Sequence, residues 1–224
     1  MKNIFRNGLL AFVATLILAS CGDKKPTEAT AQKPMETTAA LSENFQIIVG
    51  KSVGNITANM THDDILKLFG KDRVTIDTVS EAEGTVETLA TFVDKGKATE
   101  IIVKWADSFR LKQIDRIQVG LEGAPYTLDG LKIGSTIADL ERVNGKSLKF
   151  SGFGWDYGGY VTDFGKGKYD GAKVLFNMDL SGEASMKYGE NVNFLMGEGV
   201  HSSLDKNVEK YKNDIRIQTI ELNF

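Results

Sequence analysis

An α+β fold made of two tandem helix-plus-antiparallel-sheet units is the class this chain predicts, and three observations predict it. A helix-capping pattern occurs twice, at a constant offset of 75 positions, with Thr61, Asp64, Ile65, Leu68 and Gly70 matching Thr136, Asp139, Leu140, Val143 and Gly145. Short stretches rich in β-branched and apolar residues follow each copy. The last stretches also correspond: Asp115-Arg116-Ile117-Gln118 is echoed by Ile215-Arg216-Ile217-Gln218. That offset has grown to 100, so the second unit carries an insertion, placed at about 182–214. A short helix followed by a meander, twice over, is an α+β pattern.

The elements are taken in chain order. Lys2 and Arg6 precede an apolar run from Leu9 to Ala19 that only Thr15 interrupts, and small residues then lead to Cys21. That is the three-part layout of a secretory leader, here residues 1–20. The run falls short of the roughly 20 apolar residues a bilayer span requires. From 21 to 42 the chain is dominated by Pro, Thr, Ala, Lys and Glu without apolar periodicity, which predicts a disordered tether. Treated as flexible coil, its reach is on the order of 25 Å.

Unit 1, residues 43–122, opens with its helix. Thr61 is a good N-cap, and Asp64 three residues on lies in the first turn, where the helix dipole favours negative charge. Ile65 and Leu68 fall on one face, and Gly70 is expected to supply the left-handed residue that ends the helix. Strands are predicted at 74–79, 86–93, 100–105 and 114–121. Unit 2, residues 123–224, repeats the helix from Thr136 to Gly145, then predicts strands at 148–150, 155–164, 173–180 and 215–224. Hairpin turns are expected at Gly165-Lys166-Gly167 and at Ser181-Gly182. Within the insertion, residues 203–211 predict a helix started by Ser203 or Asp205.

Two resemblances rest on these residues. The leader ending Leu18-Ala19-Ser20-Cys21 resembles a bacterial lipoprotein signal with its lipobox. It implies diacylglycerol on the Cys21 thiol and cleavage before Cys21. Two or three acyl chains anchor stably, whereas one gives only marginal binding. Gly22 stands where enterobacterial lipoproteins retained at the inner membrane carry Asp, so the outer membrane is the expected location. The doubled pattern at 56–70 and 131–145 resembles the β-lactamase inhibitor proteins, whose two helix-plus-sheet units share one curved sheet; the resemblance implies one curved sheet with the helices on one face here too. It is also similar to the outer-membrane assembly lipoprotein BamE, which has one such unit behind a lipobox. Because the shared residues are mostly helix caps, the resemblance implies fold, and no partner-contact residue aligns.

Composition narrows the function. Cys21 is the only cysteine, so its lipidation excludes disulfides, thiolate metal sites and a cysteine nucleophile. Removing Lys2 and Arg6 with the leader leaves 30 acidic residues against 25 basic, which argues against a nucleic-acid partner. His62 and His201 are the only histidines, and neither has carboxylates at ligand spacing, so no metal or cofactor is expected. The residues from Asn177 to Glu183 resemble a calcium loop, but Tyr188 occupies its acidic position, and a hairpin turn is expected instead.

The run from Phe150 to Phe164 interleaves glycines with aromatics, and Phe153, Trp155, Tyr157 and Tyr160 are the candidate binding residues. The same run also fits a bulged strand packed in the core, with Asp156 facing opposite to Trp155 and Tyr157. The insertion offers a second apolar surface in Met186, Tyr188, Phe194, Leu195 and Met196, which equally fits a cover for the sheet. The expected function is a membrane-anchored, non-catalytic binding or scaffolding module of the bacterial envelope, contacting another envelope protein or a small ligand. The alternatives are an inhibitor of a periplasmic enzyme and a hydrolase using carboxylates such as Asp156 and Asp163.

Overall fold

Residues 42–81 and 84–224 are described by the structure, a computed structural model. The leader, Cys21 and nearly all of the tether lie outside the described residues. The fold is α+β, with antiparallel sheets and short helices.

Three two-residue strands open it, β1 (Ile47–Ile48), β2 (Ser52–Val53) and β3 (Ile56–Thr57), forming a small sheet that the sequence did not announce. Helix α1 (His62–Phe69) follows the Thr61 cap, where a full capping box forms with Asp64. Gly70 departs from expectation: its φ of 83° is paired with a ψ of 154°, not the left-handed helical value. The backbone still requires glycine there, because an L side chain is disfavoured at that φ. Strands β4 (Val74–Glu81), β5 (Val86–Val93), β6 (Ile101–Trp105) and β7 (Ile114–Val119) then form the expected meander. Helix α1 is clipped to it through Thr91, whose Oγ1 meets His62 Nδ1 at 2.9 Å and accepts from Trp105 Nε1 at 3.1 Å.

Unit 2 repeats the opening. Helix α2 (Ile137–Asn144) has its own capping box between Thr136 and Asp139, and Gly145 ends it in the left-handed conformation. Each box satisfies helix-end groups at a typical worth of about 1 kcal/mol. Ile65 in α1 and Ile137 and Leu140 in α2 are fully buried in one hydrophobic core common to both units.

The strands of unit 2 are β8 (Lys149–Ser151), β9 (Val161–Asp163) and β10 (Val174–Leu180). The insertion then supplies α3 (Gly182–Tyr188), a 3-10 segment (Gly189–Leu195), β11 (Val200–Ser202) and α4 (Lys206–Glu209), before β12 (Ile215–Asn223) closes the chain. Asp205, one of the two expected starts, caps α4. Ser181 caps α3 through the Ala184 amide, so the hairpin expected at Ser181-Gly182 is a strand-to-helix junction.

Both units contribute to one six-stranded sheet, ordered β10-β12-β7-β6-β5-β4. The two strands that carry the sequence echoes at 115–118 and 215–218, β7 and β12, are neighbours in it, with Leu222 opposite Ile117. The expectation that one sheet takes every strand does not hold. β8 and β9 leave it and pair with β11 in a separate sheet, ordered β11-β8-β9. The insertion provides that third strand, which is why the hairpin can stand apart.

The strand expected at 155–164 is also shorter. Only Val161–Asp163 is strand, while residues 154–159 form bends and turns, because Gly154 (φ 80°) and Gly159 (φ 76°) adopt angles a strand excludes. The alternating placement of Asp156 relative to its neighbours therefore has no basis.

Candidate functional site

Alternation along the central strands gives the six-stranded sheet one apolar and one polar face. In β6, Ile101, Val103 and Trp105 are buried and Lys104 lies between them on the other side. In β7, Arg116 falls on the same side as Lys104, its cross-strand partner. In β12, Glu221 sits opposite Gln118, between the buried Ile220 and Leu222. The polar face thus gathers charge at the middle of the sheet.

These groups form a closed network. Arg116 donates from Nη2 to Glu81 Oε1 at 2.6 Å and from Nε to Asp115 Oδ2 at 2.9 Å. Lys104 Nζ lies 3.5 Å from Glu81 and 3.6 Å from Glu221. Glu81 and Arg116 are three strands apart in the sheet, so the end of β4 curls over the polar face for them to meet. Burial pulls the Arg116 guanidinium down, yet Glu221, Asp115 and Glu81 together hold it above its usual value. Glu221 is only 3% exposed, and its Oε1 has no hydrogen-bond donor, the nearest cation being Arg116 Nη1 at 3.7 Å.

Facing this floor is the glycine-rich turn between β8 and β9, and its hydrogen bonds fix it on three sides. Gly152 donates to Gly199 O at 2.7 Å, and Phe153 donates to Leu195 O at 2.7 Å, which tie it to the insertion. Ser151 Oγ donates to Tyr157 O at 2.6 Å, holding it to β8. Met178 N donates to Gly159 O at 2.8 Å and Asn177 Nδ2 to Gly158 O at 2.6 Å, docking it onto β10. Two glycines make the close approaches possible: a Cβ on Gly152 would stand 2.4 Å from Gly197 O, and one on Gly159 would stand 1.8 Å from Met178 O.

The candidate aromatics divide accordingly. Phe153, grouped with the binding residues from sequence, is 2% exposed and stacks on Phe150 at 5.6 Å, so it is core beneath the turn. Trp155, Tyr157 and Tyr160 all line one cleft of about 1160 Å³ between the turn and the charged floor. Trp155 is oriented by its Nε1 bond to Gly152 O at 2.9 Å, and its ring meets Tyr157 edge-on at 5.5 Å. Tyr157 is half-exposed. The Tyr160 phenol is pushed up by burial and by the Glu221 carboxylate, with Arg116 opposing them.

The insertion is neither only a cover nor only an apolar surface. Glu198 and Val200 line the cleft, Leu195 is buried, and Met186 is fully in solvent at 83% exposure. His201 packs its ring on Phe150 and Phe194, with Nε2 buried and unpartnered. The carboxylates considered for hydrolysis are not brought together. Asp156 lines the cleft, whereas Asp163 is absent from its walls and pairs with Lys149 at 3.0 Å. Among the described residues, no group of three or more His, Cys, Asp or Glu is placed to hold a metal ion, and no helix is long and apolar enough to cross a membrane.

Sequence reasoning missed Glu81, Lys104, Arg116 and Glu221. A signal was present, since a lone charge between two core residues, as in Ile220-Glu221-Leu222, marks the polar side of a central strand. Which other elements cover that side cannot be read from a strand alone. No protein-family model and no curated protein matches the chain. A solved structure similar to it is that of the uncharacterized protein yfeY from Escherichia coli, 14% identical, covering 81% of this chain and 99% of that chain at a TM-score of 0.40.

Proposed function

We propose that this protein is a lipid-anchored binding module of the bacterial envelope, held at the outer membrane through Cys21, whose cleft captures a small ligand without chemical change. One observation carries the reading: Trp155, Tyr157 and Tyr160 converge on the same cleft as the partly buried Lys104 and Arg116 and the buried Glu221 with which they pair. Binding sites pair apolar and aromatic walls with a few fixed polar groups, and they work best when those groups are preorganised. Here the indole is held by a backbone carbonyl and the turn by bonds on three sides. The charged side chains hold one another, which suits orientation of a ligand more than proton transfer. The tether would let the cleft work within a few tens of ångströms of the membrane.

Native mass spectrometry of the full lipidated protein, incubated with a soluble envelope extract, tests the reading. A ligand adduct on the wild type that is lost in Trp155→Ala/Tyr157→Ala is expected. An adduct that persists in the double variant, or no adduct at all, refutes it. Cys21→Ser is expected to release the protein from membranes and to abolish labelling by a palmitate analogue; retention at the membrane refutes the anchor.

A further inference from the structure

Three features of the cleft carry the same sign, and together they identify the ligand's chemistry; this inference rests on the binding reading above. The acidic residues lining it, Glu81, Asp156, Glu198 and Glu221, outnumber the basic ones, Lys104 and Arg116, four to two. Both basic groups are already spent on carboxylates of the floor. Asp156 and Glu198 are exposed and make no ion pair among the described residues, so they leave uncompensated negative charge on the cleft wall.

The second feature is an unmet acceptor. Glu221 Oε1 is buried without a hydrogen-bond donor, and a buried carboxylate oxygen left so is costly. The third is the aromatic pair on the cleft wall, Trp155 partly buried and Tyr157 half-exposed. The faces of Trp and Tyr attract cations and have no such attraction for anions. Neutral hydroxyl groups would meet the acceptors but would gain nothing from the surplus charge. Bound anions would meet net repulsion, and the metal-ligand geometry is lacking among the described residues.

We propose that the cleft takes a ligand bearing a protonated primary amine, its ammonium seated against the Trp155–Tyr157 pair between Asp156 and Glu198, with the Glu221 carboxylate supplying the negative floor. The amine belongs either to a free aliphatic amine or to a lysine side chain of a short peptide. The same chemistry reads both.

Isothermal titration of the full lipidated protein in a nonionic detergent, with tryptophan emission followed in parallel, tests this. The probes are cadaverine, the capped tripeptide acetyl-Gly-Lys-Gly-amide, the same tripeptide acetylated on lysine, and maltotriose as a neutral polyol. Saturable binding of cadaverine or the lysine tripeptide is expected, and the stronger of the two identifies the source. The acetylated tripeptide is expected to bind at least about ten-fold more weakly. Asp156→Asn/Glu198→Gln, which alters only exposed side chains, is expected to weaken amine binding by about the same factor. Equal binding of the acetylated and free tripeptides overturns the proposal. So does binding of maltotriose with neither amine, an outcome that leaves the cleft's role in binding intact. If no probe binds and the extract also yields no adduct, the amine and the binding reading fall together.

Discussion

Replacing Gly159 by alanine tests how the aromatic wall is held against the large sheet. Gly159 has a φ of 76°, and an added Cβ would lie 1.8 Å from the carbonyl oxygen of Met178, a residue only 1% exposed. Real Cβ atoms do not approach so closely, so the turn must lift away from β10. Lifting breaks the 2.8 Å bond from Met178 N to Gly159 O. Two costs follow. The left-handed conformation costs an L-residue about 1–2 kcal/mol, and stranding a buried amide costs about 1–3 kcal/mol more. The sum is about 2–5 kcal/mol, large against the roughly 5–15 kcal/mol by which domains are stable. Gly171→Ala is the matched control, since Gly171 has a φ of 68° with nothing within 4 Å of its Cβ position. It is expected to cost only the conformational part, about 1–2 kcal/mol. Urea unfolding followed by circular dichroism measures both. If the two variants are equally stable within about 0.5 kcal/mol, the docking of the turn on β10 is wrong.

Two further outcomes follow from ionisable groups, Asp94 buried and His201 partly buried. Asp94, with a side chain 4% exposed, accepts from Arg73 at 3.0 and 2.5 Å and from Thr99 at 3.1 Å, and Arg73 holds its carboxyl below the usual carboxylate range. Stability from this group is therefore full above its unfolded pKa of about 3.9 and is lost as pH falls toward the lowered folded value. Arg73→Ala is expected to cost about 1–3 kcal/mol near pH 7, discounted because Arg73 is partly in solvent, and to flatten the acid limb of the stability curve; an unchanged acid limb in urea titrations contradicts this. His201 is held below its usual value by burial, only partly opposed by Asp205. Its unfolded form binds the proton more readily, so stability is full above about pH 6.5 and declines as pH falls through the folded value. His201→Leu is expected to remove that slope, and a slope that survives in the variant rules His201 out as its source.

Much of the fold is legible in the chain because it rests on local chemistry. Thr61 with Asp64 and Thr136 with Asp139 encode two helix starts through groups three residues apart, and both form. The strand at 86–93 matches its predicted limits because β-branched and aromatic residues and the turns that flank them act within a few positions. Errors fall where distant chain decides. Residues 154–159 have aromatic strand character, yet they turn because Leu195, Gly199 and Met178 supply their partners from elsewhere. Phe153 and Trp155 are two residues apart and equally aromatic, but only one is covered by the insertion. No local signal separates them.

By itself, then, the amino-acid order determined the doubled helix starts, most strands, the place of the insertion and the glycine-aromatic run at 150–164. Only the tertiary structure decided that β8 and β9 leave the main sheet for β11, which faces Trp155, Tyr157 and Tyr160 toward charges on β4, β6, β7 and β12. The physical reason is range. Caps and alternation act over a few residues, whereas the cleft joins Glu81 to Glu221 across 140 positions of chain through strand order and the bend of a hairpin.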